Sequence, residues 1–267
     1  MTTCRWKPSS SRRPLSLPEF GELVAPPQWR RIDFISDLHL SPDTPKTLAA
    51  LAAHLEETAA EAVVLLGDIF EVWVGDDARF DPFEAQCVAM LRQASERLKL
   101  FFMAGNRDFL VGPDMLADCG MQGLADPTVL TAFGQRWLLT HGDALCLEDS
   151  KYQAFRAQVR HPAWQAGLMT KPLSERRAIG QQMRAASRMK QASEELWADL
   201  DAKACIEWLE ASRSQVMING HTHRPGRHDL APGLARHVLS DWDCEGEPPR
   251  AEVLRLRQAG LRRIPLA

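Results

Sequence analysis

Several short apolar stretches of this chain end at side chains that can hold a metal ion. These side chains are carboxylates, an amide and imidazoles, in the order Asp37-x-His39, Asp68, Asn106, His141 and His221-x-His223. Oxygen and imidazole ligands without a thiolate suit Mn²⁺, Fe²⁺ or Zn²⁺ better than a soft ion. A single histidine is more often a packed core or cap residue. Five successive apolar stretches that all end at possible ligands, however, predict one metal cluster.

The spacing of the individual ligands is compatible with shared coordination. Asp37 and His39 are two residues apart, so at the exit of a strand they project to the same side. Gly67 precedes Asp68 and allows the chain to turn sharply there. The Asp68 carboxylate has two oxygens, and this residue can therefore bridge two cations.

The apolar stretches themselves predict the elements that position these ligands. They are rich in Val, Ile, Leu and Phe and are bounded by turn residues, which is typical of buried strands. They cover residues 32–36, 62–67, 100–105, 137–140 and 216–220. Helical patterns near 48–59 and 82–98 separate the first three, and this βαβα order predicts a layered α/β domain with largely parallel inner strands. In such sheets, sites form outside the carboxyl ends of the strands.

The chain divides into three parts by pattern. Residues 1–29 are polar and proline-rich with no periodicity, and we expect a disordered extension there. Residues 30–148 and 214–267 carry the strands and predict the core. Residues 149–213 lose the strand pattern and show apolar residues at helical spacing, which predicts a helical insertion.

The composition excludes several classes of protein. The chain has 267 residues, of which 45% are hydrophobic and 25% charged, with a formal net charge of −3, as in a globular protein. No apolar run is long enough to cross a bilayer, and residues 1–27 lack the apolar segment of a secretory signal. The six cysteines show no paired spacing, which argues against disulfides and indicates a reducing cytoplasm.

In their order and spacing, the metal-binding motifs resemble the calcineurin-like metallophosphoesterase superfamily. The resemblance implies an α/β fold, a sandwich of two mixed β-sheets flanked by helices, here with a helical lid insertion. It also implies two divalent metal ions. One would be held by Asp37, His39, Asp68 and His223, and the other by Asp68, Asn106, His141 and His221. Mn²⁺ is the expected native ion.

Two cations of this kind favour hydrolysis at phosphorus. When they lie about 3.5–4 Å apart, they can hold a phosphoryl group together with a water whose pKa falls from 15.7 towards about 7. The activated water then attacks phosphorus in line, and no covalent phospho-enzyme is needed. The catalytic residues expected from the resemblance are Asp68, Asn106, Arg107, His141 and His221.

Three longer motifs narrow the resemblance to one subfamily. They are GDIFEVWVGDD at 67–77, GNRDFL at 105–110 and HGDALC at 141–146. They are similar to the UDP-2,3-diacylglucosamine diphosphatases of bacterial lipid A biosynthesis. This resemblance implies hydrolysis of the diphosphate bond of UDP-2,3-diacylglucosamine to 2,3-diacylglucosamine 1-phosphate and UMP, with water attacking the α-phosphorus.

Arg107 occupies the position at which most of the superfamily carries a histidine. A histidine there would assist as a general acid or transition-state stabiliser. The planar guanidinium of an arginine instead suits bidentate contact with phosphate oxygens. This favours a leaving group that is itself a phosphate and needs little protonation. The alternative is that Arg107 is a partner in a surface salt bridge.

The resemblance also implies a set of substrate contacts. These are Asn106, Arg107, Asp149, Tyr152, Arg184, Ser187, Gln191 and His221. The sequence departs from the subfamily at two of the implied positions: Gln191 stands where an asparagine is expected, and Glu194 where a lysine is expected. Gln191 can still form a hydrogen bond, whereas Glu194 reverses the charge and puts a phosphate contact there in doubt.

The insertion is strongly basic in its first part. Residues 151–190 contain nine lysines and arginines and a single acid, Glu175. Such a surface attracts an anionic diphosphate and fits peripheral attachment to an anionic leaflet. Trp164, Leu168 and Met169 could line a channel for acyl chains or simply pack helix on helix. We expect a cytoplasmic protein, peripheral on the cytoplasmic face of the inner membrane, that binds a lipid-linked UDP-sugar.

Three other functions remain open at this point. The protein could be a soluble nucleotide or phosphodiester metallohydrolase with a substrate that carries no lipid. It could be a scaffold that keeps the fold without metals, although the complete ligand set argues against this. The basic stretch could bind nucleic acid, but it lacks interleaved aromatics and a known reader motif. We expect no nucleic acid and no obligate protein partner.

Overall fold

The computed structural model describes residues 17–193 and 199–266, and it describes the side chains outside 186–193. Within this part of the chain, twelve strands form two six-stranded sheets. The first sheet has the order β1 (Gly21–Val24), β6 (Thr128–Ala132), β7 (Gln135–Thr140), β8 (Val216–Asn219), β10 (Leu234–Val238) and β9 (Gly226–Ala231). The second has the order β12 (Gly260–Pro265), β11 (Glu252–Arg257), β2 (Ile32–Ile35), β3 (Ala62–Leu66), β4 (Lys99–Met103) and β5 (Met121–Leu124).

Both sheets are mixed, as the sequence predicts. Strands β2, β3, β4 and β5 are parallel neighbours, with Phe34 opposite Val64 and Val64 opposite Phe101. Strands β7 and β8 are also parallel, with Leu139 opposite Ile218. Because parallel strands end at the same edge of a sheet, the residues after β2, β3 and β4 come together, as do those after β7 and β8.

Seven α-helices flank the sheets in the described residues. They are α1 (Pro45–Glu57), α2 (Pro82–Ser95), α3 (Pro113–Asp118), α4 (Ser150–Val159), α5 (Pro162–Met169), α6 (Leu173–Ser193) and α7 (Ala202–Ala211). Four of them, α1, α2, α3 and α5, carry a proline in the first helical positions. Proline is suited to that place, since its fixed φ matches the helix and the missing N–H has no intrahelical partner there.

Three apolar cores hold the layers together. The core between the sheets contains fully buried residues such as Phe34, Leu66, Leu139 and Ile218. A second core packs α1 and α2 against the outer face of the β2–β5 sheet. A third packs α7 against the outer face of the other sheet, through residues such as Trp208. The result is a sandwich in which the carboxyl ends of β2, β3, β4, β7 and β8 face one another across the two sheets.

The structure corrects two predicted boundaries. Residues 21–24 lie in the expected disordered extension of residues 1–29, yet they form β1, which pairs in parallel with β6, and Trp29 is buried in the core between the sheets. Residues 1–16 lie outside the described residues. In addition, α7 falls within the predicted insertion 149–213 but packs on the sheet, so the helices of the insertion that stand away from that sheet are α4, α5 and α6.

Several edge strands gave no signal in the sequence. In β5 only Met121 is buried, and β9 contains no buried residue. Strands of this kind lack the apolar alternation that identifies a half-buried strand. None of the helices in the part of the chain that the structure describes is both long and apolar enough to cross a membrane.

A buried ion pair at the far end of β2 gives the first testable prediction. Arg255 donates to both oxygens of Asp33 at 2.6 and 2.7 Å. Burial alone would raise the pKa of Asp33, but hydrogen bonds, foremost from Arg255, lower it from 3.8 to about 2. The ionised carboxylate therefore stabilises the fold above pH 4, and this contribution, about 2 kcal/mol, is lost as the pH falls towards 2.

Urea unfolding of wild type and of Asp33→Asn, both in chelator, measures this contribution. Between pH 6 and pH 3 the wild-type free energy of unfolding should fall by about 1 kcal/mol more than that of the variant, because the remaining part of the contribution is lost only below pH 3. Equal falls would show that Asp33 does not carry this pH dependence.

Candidate metal centre

The backbone around the predicted ligands is held in a conformation that few residues adopt. Seven non-glycine residues of the described chain have positive φ, and five of them are predicted ligands: Asp37, His39, Asp68, His221 and His223. Their φ values lie between 49° and 68°, in the left-handed region. Non-glycine residues in this region cost free energy and cluster at functional sites. The fold therefore holds these side chains in position at a conformational cost.

Hydrogen bonds tie the ligand loops to one another. The Asp37 N–H donates to the Gly67 carbonyl and the His39 N–H to the Asp68 carbonyl, both at 3.0 Å. Across the sandwich, the His221 N–H donates to both oxygens of the Asp37 carboxylate, at 3.1 and 3.0 Å. The loops after β2, β3 and β8 therefore form one rigid unit although they come from two sheets.

Two glycines are required by close approach. A Cβ on Gly105 would lie 2.2 Å from Oδ1 of Asp68, and a Cβ on Gly220 would lie 2.3 Å from Oδ2 of Asp37. Any larger residue would push a carboxylate out of place. This explains why glycine precedes Asn106 and His221 in the sequence.

The first group of ligand atoms comes from Asp37, His39 and His223, whose atoms lie within 4.8 Å of one another. Nε2 of His39 and Nε2 of His223 face each other at 3.3 Å. Oδ1 of Asp37 lies 3.4 Å from Nε2 of His223. Three electron-pair donors thus point at the same small volume, which is the arrangement that a bound cation needs.

The second group surrounds the Asp68 carboxylate. Asp37, Asp68 and His141 place ligand atoms within 4.8 Å of one another. The amide head of Asn106 lies 3.0 Å from Nε2 of His141 and 2.8 Å from Nδ1 of His221. Turned one way, the amide nitrogen donates to both rings and to Asp68; turned the other way, its oxygen joins the ligand set. Asp37 belongs to both groups, and the Asp68 carboxylate lies within the same 4.8 Å of it in the second group.

The charges of this cluster fit divalent cations. Burial raises the pKa of Asp68, and it lowers the pKa of His39 and of His221 to about 3. At His141 and His223 burial is outweighed by the nearby carboxylates, which raise the pKa of His141 to about 9 and also raise the pKa of His223. Neutral imidazoles are the form that binds metal. The buried carboxylates of Asp37, Asp68 and Asp108 are costly without nearby positive charge. The donor atoms present therefore fit divalent cations.

The outer ring nitrogens of the histidines face acceptors that the sequence did not single out. Nδ1 of His141 lies 2.9 Å from the Leu66 carbonyl oxygen. Nδ1 of His223 lies 3.5 Å from the Asp241 carboxylate, which also pairs with Arg250. Such partners fix the tautomer and orientation of a metal-binding histidine. Asp241 sits at the end of an extended run, and this position was its only signal in the sequence.

Asp108 is a second residue without a predicted role. It is fully buried, and its oxygens accept from the backbone N–H groups of Gly105 at 2.8 Å, Asp68 at 3.2 Å and Ile69 at 2.7 Å. The carboxylate thereby joins the loop that carries Asp68 to the loop that carries Asn106. It lies next to Arg107 in the motif, and this adjacency was the available signal.

Replacing Asp108 by asparagine should destabilise the protein by about 2–3 kcal/mol. The amide NH₂ that takes the place of one carboxylate oxygen would face a backbone N–H group, and both donors would be left without an acceptor. Urea unfolding measures this loss. Asp114→Asn, at an exposed position on α3, is the control and should change stability by less than about 0.5 kcal/mol. If both variants unfold at the same urea concentration, Asp108 does not anchor the two loops.

Arg107 is not on the surface. Its side chain is 11% exposed, and Nε lies 3.7 Å from Oδ2 of Asp68. Its backbone N–H donates to Oδ1 of Asp68 at 2.8 Å. The salt bridge of Arg107 is therefore formed inside the ligand cluster and not on the surface, with the guanidinium beside the Asp68 carboxylate.

A cavity of about 670 Å³ opens from the ligand cluster towards the insertion. Its polar end is formed by residues that include Asn106 and Arg107. Its other end is apolar and is lined by residues from α4, α5 and α6, among them Phe155, Trp164, Leu168, Ile179 and Met183. Trp164 and Leu168 thus face the cavity, as one of the two interpretations of the sequence expects. Met169 is absent from this lining and is 40% exposed.

The predicted substrate residues of α4 lie beside the ligands. The Tyr152 hydroxyl donates to the buried Asp143 at 2.7 Å, and its ring stacks on His221 with centroids 6.0 Å apart. The Asp149 carboxylate accepts from the Tyr152 N–H and caps α4. Arg156 of α4 also donates to Asp143, at 2.8 Å. These contacts dock α4 against the loop that follows His141.

The remaining predicted contacts lie on α6. Arg184 lines the cavity and pairs with Glu71. Its Nε and Nη1 are buried and have no hydrogen-bond partner. The side chains of Ser187 and Gln191 lie outside the described residues, as does Glu194, so the expectations for these three positions remain predictions.

Comparison with known proteins agrees with this geometry. The model of the calcineurin-like phosphoesterase family matches residues 30–225. UDP-2,3-diacylglucosamine hydrolase of Chromobacterium violaceum is 44% identical over 88% of this chain and 98% of the relative. Proteins of that name from Bordetella pertussis (41%, over 85% and 91%) and Marinobacter nauticus (42%, over 79% and 88%) are similar. The chain belongs to the calcineurin-like phosphoesterase family.

Proposed function

We propose that the protein hydrolyses the diphosphate bond of UDP-2,3-diacylglucosamine and releases UMP and 2,3-diacylglucosamine 1-phosphate. The observation that carries this proposal is the single cavity that runs from Asn106 and Arg107 to the apolar helices of the insertion. A substrate with a charged diphosphate and two acyl chains likewise has one charged part and one apolar part. The names of the relatives supply the particular sugar nucleotide.

The first ion would be held by Asp37, His39, Asp68 and His223, and the second by Asp68, Asn106, His141 and His221. When bound, such ions neutralise charge on phosphoryl oxygens and make water a nucleophile near neutral pH. We propose Mn²⁺ for both positions, because the ligands are carboxylate, amide and imidazole.

The residues of the chain have separate tasks in this proposal. Arg107 is permanently cationic and stands beside Asp68, so it stabilises the charge that develops on the departing phosphate. Arg184 lines the same cavity and supplies a second guanidinium to the diphosphate. Tyr152 and the residues of α5 and α6 hold the sugar and acyl chains and keep the phosphorus in line for attack.

Release of UMP from the lipid substrate by the purified protein with Mn²⁺ is the test. In oxygen-18 water the label should enter UMP, because attack is at the α-phosphorus. Unacylated UDP-glucosamine is the control and should react at least about 100-fold more slowly, since it buries none of the acyl surface. Equal or faster hydrolysis of the control would instead support a soluble nucleotide hydrolase.

We also propose that the protein works at the cytoplasmic face of the inner membrane as a peripheral protein. Support comes from the insertion, where Phe155 and Met169 are exposed among basic residues. Vesicles that contain anionic phosphatidylglycerol should sediment the protein at low salt, whereas neutral phosphatidylcholine vesicles should not. Equal sedimentation with both, or none with either, would contradict an electrostatic attachment.

A further inference from the structure

Glu71 occupies a position between the ligand cluster and the insertion. Its Oε2 lies 3.6 Å from Nδ1 of His39, and its Oε1 pairs with Nη2 of Arg184 on α6. One carboxylate therefore faces a predicted metal ligand with one oxygen and a predicted substrate residue with the other. Neither the motif nor the ligand spacing assigned it a role.

The backbone around Glu71 fixes this placement. The Glu71 N–H donates to the Leu40 carbonyl at 3.0 Å, and the Leu40 N–H donates to the Ile69 carbonyl at 2.8 Å. The residue after His39 and the segment 69–71 are thus joined as a short parallel ladder. The carboxylate of Glu71 is held close to His39 by this ladder and does not depend on a mobile side chain alone.

Nδ1 of His39 is the atom that needs a partner. It is buried and has no hydrogen-bond partner in the structure. Nε2 of the same ring points into the first ligand group, towards His223. When one nitrogen of an imidazole serves a metal, the other carries a proton and requires an acceptor. The oxygen of Glu71 that faces this nitrogen supplies that acceptor after a shift of less than 1 Å, which brings 3.6 Å to hydrogen-bond range.

Arg184 holds the other end of the carboxylate and still has capacity for a ligand. Its side chain is 11% exposed, so the ion pair with Glu71 is shielded from water. The residue lines the cavity, and its Nε and Nη1 have no hydrogen-bond partner. The guanidinium can therefore contact Glu71 and an anionic group in the cavity at the same time, since its donors form a fixed fork.

We propose that Glu71 is a positioning residue that orients His39 and couples it to Arg184 of the insertion. The link runs from the cavity through Arg184 and Glu71 to one metal position, and it gives the insertion an influence on metal affinity. The inference rests on the proposed dimetal function. It concerns the orientation of His39 and the affinity of one metal position. Glu71 itself touches neither substrate nor phosphorus.

The test measures Mn²⁺ binding to the full chain without substrate, by the electron paramagnetic resonance signal of free Mn²⁺. Glu71→Gln keeps the size of the side chain but has one acceptor oxygen where two are needed. It should weaken one of two Mn²⁺ sites by about 10–100-fold, as loss of an outer partner does. Glu245→Gln, whose carboxylate accepts from the N–H groups of Lys46 and Thr47 at the start of α1, is the matched control and should bind Mn²⁺ as wild type does.

The coupling to the insertion is tested by a double-mutant cycle. Arg184→Ala should change the affinity of the same site by about threefold or more in the wild-type background and should have no effect in the Glu71→Gln background. Arg177→Ala removes another ion pair between α6 and the core, with Asp81, and should leave Mn²⁺ affinity unchanged in both backgrounds.

Each of the other possible outcomes contradicts one part of the proposal. If Glu71→Gln binds two Mn²⁺ ions as wild type does, Glu71 does not position His39. If Arg184→Ala has no effect in either background, or an equal effect in both, the link to the insertion is absent. If wild type binds no Mn²⁺, both the proposed dimetal function and this inference fail. If wild type binds two ions and Glu71→Gln binds them equally well, only this inference fails.

Discussion

Asp68→Asn should lower the rate of diphosphate hydrolysis by at least about 10⁴-fold. An amide offers one oxygen and cannot bridge two cations, so one ion is lost or displaced. Each cation contributes several kcal/mol of charge stabilisation in the transition state, and each 1.4 kcal/mol is about tenfold in rate. Release of UMP at saturating Mn²⁺ measures the effect. A variant that retained more than about a tenth of the rate would exclude Asp68 as the bridging ligand.

Thermal unfolding of the same variant distinguishes a loss of metal binding from a loss of folding stability. Burial raises the pKa of the Asp68 carboxyl, which means that its charge is costly in the metal-free fold. In chelator, Asp68→Asn should therefore unfold at the same temperature as wild type or above it. With Mn²⁺ the order should reverse, because wild type gains binding free energy that the variant lacks. Thermal unfolding in both buffers provides the comparison.

Arg107→His should lower kcat/KM for the diphosphate substrate by about 100-fold, the scale expected when one transition-state donor is lost. It should also introduce a new pH dependence. Histidine is charged only below its pKa, about 6.5 in model peptides, so the activity of the variant relative to wild type should fall as the pH rises through this range. Arginine remains charged throughout and produces no such fall.

Arg107→Lys is the matched variant, because it keeps the charge and loses the planar fork. It should be intermediate in rate, and its ratio to wild type should not change with pH between about 5 and 8. A wild-type rate and an unchanged pH profile in Arg107→His would show that the guanidinium does not act on the diphosphate.

The sequence predicted the ligand strands well because their signal is local. Each of β2, β3, β4, β7 and β8 is a short apolar run that ends at a glycine or polar residue, and burial on both faces makes such runs easy to recognise. The fold class and the meeting of their carboxyl ends follow from the order of these elements. The seven ligands that the sequence proposed are the side chains that the structure brings together.

Other parts of the fold could not be predicted in this way. Strand β1 has one buried residue, Leu23, and is a strand because β6 lies beside it. The pairing partner is over a hundred residues away, so no local pattern reports it. Likewise, α7 has an ordinary helical pattern, and nothing in its own residues tells whether it belongs to the insertion or packs on the sheet.

The residues around the ligands were missed for a related reason. Asp108, Asp241 and Glu71 act on atoms that are distant in the sequence: backbone N–H groups of another loop, His223, and His39 with Arg184. An acidic residue after a motif is ordinarily solvated. Only the three-dimensional arrangement shows that these carboxylates face buried donors.

Anomalous diffraction from crystals grown with Mn²⁺ would test the central claim most directly. We predict two peaks about 3.5–4 Å apart, one among Asp37, His39 and His223, the other among Asn106, His141 and His221, with the Asp68 carboxylate in contact with both. A single peak, or none within these residues at saturating Mn²⁺, would contradict the dimetal centre.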